Sequence, residues 1–142
     1  MARVLLADDD DLLADLAIHA LFDRGFVVGR VDDGKKVIEA IRFRAPDVVI
    51  LDCNMSELDG INALRIIRHD RQLYKIPVVI LTGRRGEANE NLARFDGAND
   101  NLSKPCNFDD LATRLDRLLA NPQLGCNCGE WNKPDGAVRR AF

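Results

Sequence analysis

Five polar residues with chemistry of their own stand where short apolar runs stop. Val4-Leu5-Leu6-Ala7 runs into Asp8-Asp9-Asp10-Asp11, and Val48-Val49-Ile50-Leu51 runs into Asp52. Val78-Val79-Ile80-Leu81 runs into Thr82, and Leu102-Ser103 runs into Lys104-Pro105. Three carboxylates brought to one spot repel one another unless a hard divalent cation sits among them, and a Lys with a Thr suits an oxyanion. Cation, anion and reactive carboxylate in one pocket point to phosphoryl chemistry.

The elements that would gather these residues follow from the pattern. Short, β-branched-rich apolar runs read as buried parallel strands, and ligands in open α/β sheets bind just beyond the carboxyl ends of such strands. Strands are expected over about 3–7, 26–31, 47–51, 78–81 and 100–103. Leu12, Leu13, Leu16, Ala17, Ala20 and Leu21 follow helical spacing up to Gly25. Further helices are expected from Asp33-Gly34 through Val37, Ile38, Ala40 and Ile41, over 58–69, over about 87–95 with a polar composition, and over about 108–119. Asn107 is placed to cap the last of these, and Leu111, Leu115, Leu118 and Leu119 are expected to face inward. Five βα units with short loops imply a parallel sheet covered by helices on both faces.

The 142 residues suit one domain with a real core, and 46% hydrophobic and 30% charged residues are ordinary for a soluble globular chain. A net charge of −3 argues against direct nucleic-acid binding, which favours a basic stripe. The opening apolar run is too short for a signal peptide or membrane span, so the cytoplasm is the expected location. Residues 1–120 read as the domain. From 121 to 142 Pro, Gly, Asn and two cysteines replace periodic hydrophobics, so this stretch reads as a flexible tail or linker.

Asp10 and Asp11 are accounted for by a helix cap and a first-turn acid, each worth about 1 kcal/mol or less. Four adjacent acids exceed that need, so Asp8 and Asp9 are assigned to a site. Asp52 is separated from the next helix by Asn54, Met55 and Ser56, too far to be its cap. A flavin or nucleotide binder would want a Gly- or Ser/Thr-rich phosphate cradle after the first strand, where this chain has four aspartates. An aspartyl phosphatase would want a second acid two residues after Asp52, and that residue is Asn54. Cys53, Cys106, Cys126 and Cys128 form neither a disulfide scaffold nor a four-ligand zinc pattern.

Taken with Leu58-Asp59-Gly60, Ile76-Pro77 and Gly97-Ala98-Asn99-Asp100, the motifs above closely resemble the receiver domain of two-component response regulators over about residues 2–120. The resemblance implies a flavodoxin-like, doubly wound five-stranded parallel sheet of order 2-1-3-4-5 with five helices. It implies that Asp52 is the phosphoacceptor, fed by a phosphohistidine on a sensor histidine kinase or histidine phosphotransferase, or by a small phosphodonor. Asp9 and Asp52 would ligate Mg²⁺ directly, Asp8 through metal-bound water, and the backbone carbonyl of Asn54 would complete the protein ligands. Thr82 would hydrogen-bond a phosphoryl oxygen and Lys104 would pair with another.

The implied output is a protein target or output domain reached through the face of the 87–95 helix, the fifth strand and the last helix, on a monomer or weak homodimer. Such a chain signals and is not an enzyme in its own right. It departs from the family at Asn101, where an aromatic residue normally turns inward with Thr82, and at Ser56, where proline is common. Asn101 is the feature that speaks for an alternative, a receiver-like interaction scaffold working without phosphorylation.

Overall fold

The apolar runs pair as their composition requires. The computed structural model describes residues 2–53, 55, 58, 60–82, 97–103 and 107–120. Its strands are β1 (Arg3–Ala7), β2 (Val27–Val31), β3 (Val48–Asp52), β4 (Val78–Thr82) and β5 (Asp100–Ser103). Its helices are α1 (Asp11–Asp23), α2 (Gly34–Phe43), α3 (Gly60–His69) and α4 (Phe108–Ala120). All four strand pairings are parallel and the order is β2-β1-β3-β4-β5, as expected. The described residues hold four of the five expected helices. The helix expected over 87–95 and the stretch 121–142 lie outside them.

Alternation along the central strands builds two cores. Leu5 and Ala7 of β1, Val49 and Leu51 of β3, and Val78 and Ile80 of β4 pack with Val37 and Ile41 of α2 and Leu64 and Ile67 of α3. Val4, Leu6, Val48, Ile50, Val79 and Leu81 face the other way, against Ala14, Ala17 and Leu21 of α1 and Leu111 and Leu115 of α4. A strand buried on both faces has no polar position to spare, which is why β3 and β4 read as unbroken apolar runs. Leu118 is buried and Leu119 half-packed on the same core, in keeping with the inward face expected for this helix.

Helix ends follow local chemistry. The Asp10 carboxylate accepts from the Leu13 backbone N–H at 3.1 Å, and Asp11 occupies the first turn of α1. Gly25 adopts φ 95° just after α1, a conformation that side chains resist. The Asp33 side chain accepts from Lys36 N at 2.9 Å, and that of Asn107 accepts from Asp109 N and Asp110 N at 2.8 and 3.2 Å.

One helix boundary needs correction, and packing settles one helix face. α3 begins at Gly60 rather than 58, because the Leu58 carbonyl is taken by the Gly34 N–H at 3.0 Å and the Gly60 N–H turns to the Cys53 carbonyl at 3.2 Å. On α1, Leu12 and Leu16 are 69% and 49% exposed, although both fit the helical spacing. Apolar residues occupy almost every position from 12 to 22, so spacing alone does not select a face. The buried face is instead Ala14, Ala17 and Leu21.

Candidate metal centre

The described members of the expected site stand at the carboxyl edge of the sheet. Asp8 directly follows β1; its N–H continues the ladder to the Val31 carbonyl at 3.2 Å, and its carboxylate accepts from Asp10 N at 2.9 Å. Asp52 ends β3 in register with Leu81, and the next N–H, of Cys53, donates to the Leu81 carbonyl at 2.9 Å. Cys53 is buried in the α2–α3 core, a small hydrophobe as its neighbours demand. Thr82 ends β4 opposite Ser103, wholly buried, and its hydroxyl donates to the Leu102 carbonyl at 3.3 Å.

Asp8, Asp9 and Asp52 offer carboxylate oxygens that all lie within 4.8 Å of one another. Asp8 and Asp52 are 3% and 4% exposed, whereas Asp9 is exposed. Three anionic oxygen donors, two sheltered and one open to water, match a hard cation that keeps part of its hydration shell, and so fit Mg²⁺. Soft-metal chemistry is a poor fit to a set without nitrogen or sulfur. The two remaining expected members, Lys104 and Asn54, lie outside the described residues. Asn101 stands on β5 opposite Ile80 and is nearly buried.

Two arginines carry structural weight that the sequence reading did not assign. Arg30 of β2 donates through Nε and Nη2 to the Asp8 carbonyl at 3.1 and 2.8 Å, and its Nη1 lies 2.8 Å from an Asp11 carboxylate oxygen. The signal available was one cation inside an otherwise apolar edge strand. Arg68 closes α3 at 2% exposure, donating to the carbonyls of Gly97, Tyr74 and Ile76 and to the Asn99 side-chain oxygen at 2.7–3.0 Å. Burial pushes its pKa down to about 10, which leaves it charged at neutral pH. The same Asn99 oxygen accepts from Val78 N at 2.9 Å, so Arg68 braces the starts of β4 and β5 together.

The comparisons agree with this geometry. The family model of the response regulator receiver domain matches residues 4–116. The DNA-binding response regulator MtrA of Mycolicibacterium smegmatis is 32% identical over 113 residues, covering 80% of this chain and 48% of the relative. The response regulator MprA of Mycolicibacterium vanbaalenii is 32% identical over 129 residues, covering 90% of this chain and 54% of the relative. The chain thus spans about half the length of the curated relatives it matches. Among solved structures, the Francisella response regulator 1452 receiver domain superposes with TM-score 0.79 at 31% identity, covering 86% of this chain and 99% of that one. The receiver domain of NtrX from Brucella abortus gives TM-score 0.77 at 31% identity, covering 83% and 98%. A doubly wound sheet with an acidic cluster at its carboxyl edge, matched along most of its length, places this chain in the receiver-domain family of two-component response regulators.

Proposed function

We propose that this receiver is a working phosphoacceptor in a phosphorelay, with Asp52 as the acceptor and Mg²⁺ as its cofactor. The observation that carries the reading is the approach of the Asp8, Asp9 and Asp52 carboxylates to within 4.8 Å at the end of buried strands. Such repulsion is costly to keep unless a cation relieves it, and a cation placed there also attracts a phosphoryl group.

An Asp52 carboxylate oxygen attacks phosphorus, an O–P bond forms, and the P–N bond to the donor imidazole breaks with its electron pair returning to nitrogen. Asp8, Asp9, Asp52 and the Asn54 carbonyl would hold Mg²⁺, which when bound neutralises charge on the phosphoryl oxygens. Burial of Asp52 at the end of β3 fixes its line of attack and limits water. Thr82 would turn its hydroxyl from Leu102 to a phosphoryl oxygen, and Lys104 would pair with another as a point charge.

The donor would be a sensor histidine kinase or a histidine phosphotransferase in the cytoplasm. The receiver would pass its state to a protein target or output domain through β5, α4 and the 87–95 segment, as a monomer or weak homodimer that itself touches neither nucleic acid nor membrane. Residues 1–120 would be the receiver and 121–142 a tail or linker. The test is incubation with Mg²⁺ and a small acyl-phosphate donor, followed by intact mass. One phosphoryl adduct that needs the metal and vanishes in Asp52→Asn supports the reading; an adduct that survives the substitution overturns it.

A further inference from the structure

We propose that Arg30 is the positioning residue of the metal-binding loop, setting the affinity for a divalent cation without ligating it. The inference rests on the reading of Asp8, Asp9 and Asp52 as a Mg²⁺ site.

The loop between β1 and α1 is held from one side by a single guanidinium. Two of its nitrogens converge on the Asp8 carbonyl, at 3.1 and 2.8 Å, while the third meets Asp11 at 2.8 Å. Asp9, the exposed member of the acidic cluster, lies between those two anchored positions. The Asp8 backbone is gripped at both ends, its N–H by the Val31 carbonyl and its carbonyl by Arg30. Asp10 is occupied in capping α1, so Arg30 completes a frame around Asp9 that the ladder and the cap leave open. Arginine suits the task because its planar fork presents several donors in fixed geometry, which a lysine cannot copy. The Arg30 side chain is about three-quarters covered, at 23% exposure, whereas its Asp11 partner is 88% exposed, so the contacts to the Asp8 carbonyl are the sheltered part of the frame.

Charge and geometry pull in opposite directions here, which makes the proposal testable. A guanidinium near the site repels a divalent cation, so a residue acting by charge alone weakens binding, and its neutralisation tightens it. A residue that holds ligands in place strengthens binding, and loss of such supporting contacts typically costs roughly tenfold or more in metal affinity.

The experiment is Mg²⁺ titration of the full chain by calorimetry, with wild type, Arg30→Gln and Arg30→Lys, after melts in EDTA have set a temperature at which all three are folded. The expected result is a Kd raised about tenfold in Arg30→Gln and raised also in Arg30→Lys, which keeps the charge and loses the fork. An unchanged or lower Kd in Arg30→Gln, with Arg30→Lys equal to wild type, overturns the positioning role while leaving the metal site standing. Failure of the wild type to bind Mg²⁺ overturns the metal reading and this proposal with it.

Discussion

Gly60, the first residue of α3, packs directly on the backbone of Asp52, the last residue of β3. A Cβ at position 60 would fall well inside van der Waals contact of the Asp52 carbonyl oxygen, and 3.1 Å from Cys53 Cα. Both neighbours are backbone in a buried strand end and cannot swing aside. Gly60 thereby lets a helix start directly against the residue proposed as phosphoacceptor.

Gly60→Ala is expected to cost about 1–3 kcal/mol of stability through overpacking, despite the better helix propensity of alanine. Because the displaced group is Asp52 itself, phosphorylation should slow by about tenfold or more. Gly29→Ala is the control: nothing lies within 4 Å of a Cβ there, so its melting and phosphorylation should follow wild type. Chemical denaturation and acyl-phosphate kinetics check both.

Arg68 carries no carboxylate partner among the described residues; its charge is met by three carbonyls and an amide oxygen. Arg68→Met should cost about 3 kcal/mol or more, since it strands buried acceptors at the starts of β4 and β5. Arg68→Lys, keeping the charge without the fork, should also destabilise. Urea unfolding would show both midpoints lowered at an unchanged slope.

Asp70 accepts from the Gln72 N–H at 2.8 Å and pairs with Arg42 of α2, which together hold its carboxyl below the usual carboxylate range. With the folded value below the unfolded one, the unfolded chain takes up the proton more readily as pH falls. The stabilisation is complete above about pH 4 and fades as pH drops through the folded value. Asp70→Asn should therefore lower stability at neutral pH and narrow its gap from wild type toward pH 2. Denaturant midpoints between pH 7 and 2 measure this.

Metal removal should also read out in stability. A hundredfold excess of Mg²⁺ over Kd is expected to add about 2.7 kcal/mol, and EDTA to abolish the gain. In EDTA, Asp9→Asn should melt above wild type, because one like charge has left the cluster; in Mg²⁺ the order should reverse. Thermal melts of both proteins under the two conditions decide it.

Much of this was legible in the residues. β3 and β4 are buried on both faces, so composition alone marked them, and the acids and Thr82 at their ends followed from where ligands sit in parallel sheets. The acidic loop was separable because capping consumes Asp10 and Asp11 and leaves Asp8 and Asp9 over. The face of α1 was not legible, since its apolar residues run around the helix and only packing into the core it shares with the last helix selects Ala14, Ala17 and Leu21. Arg30 and Arg68 were hidden for a different reason. A charged residue reads as solvated unless its partners are known, and theirs are mostly backbone carbonyls, which no residue type in the sequence marks.

Asp52 is the centre of the proposed chemistry, and the most direct measurement locates the phosphoryl group. After reaction with an acyl-phosphate donor and Mg²⁺, borohydride reduction converts an aspartyl phosphate to homoserine, which tandem mass spectrometry places in the sequence. Homoserine at position 52, dependent on the metal, is the predicted result. Homoserine at Asp8, Asp9 or another acid, or a fully unmodified Asp52 in metal-loaded protein, would contradict the account.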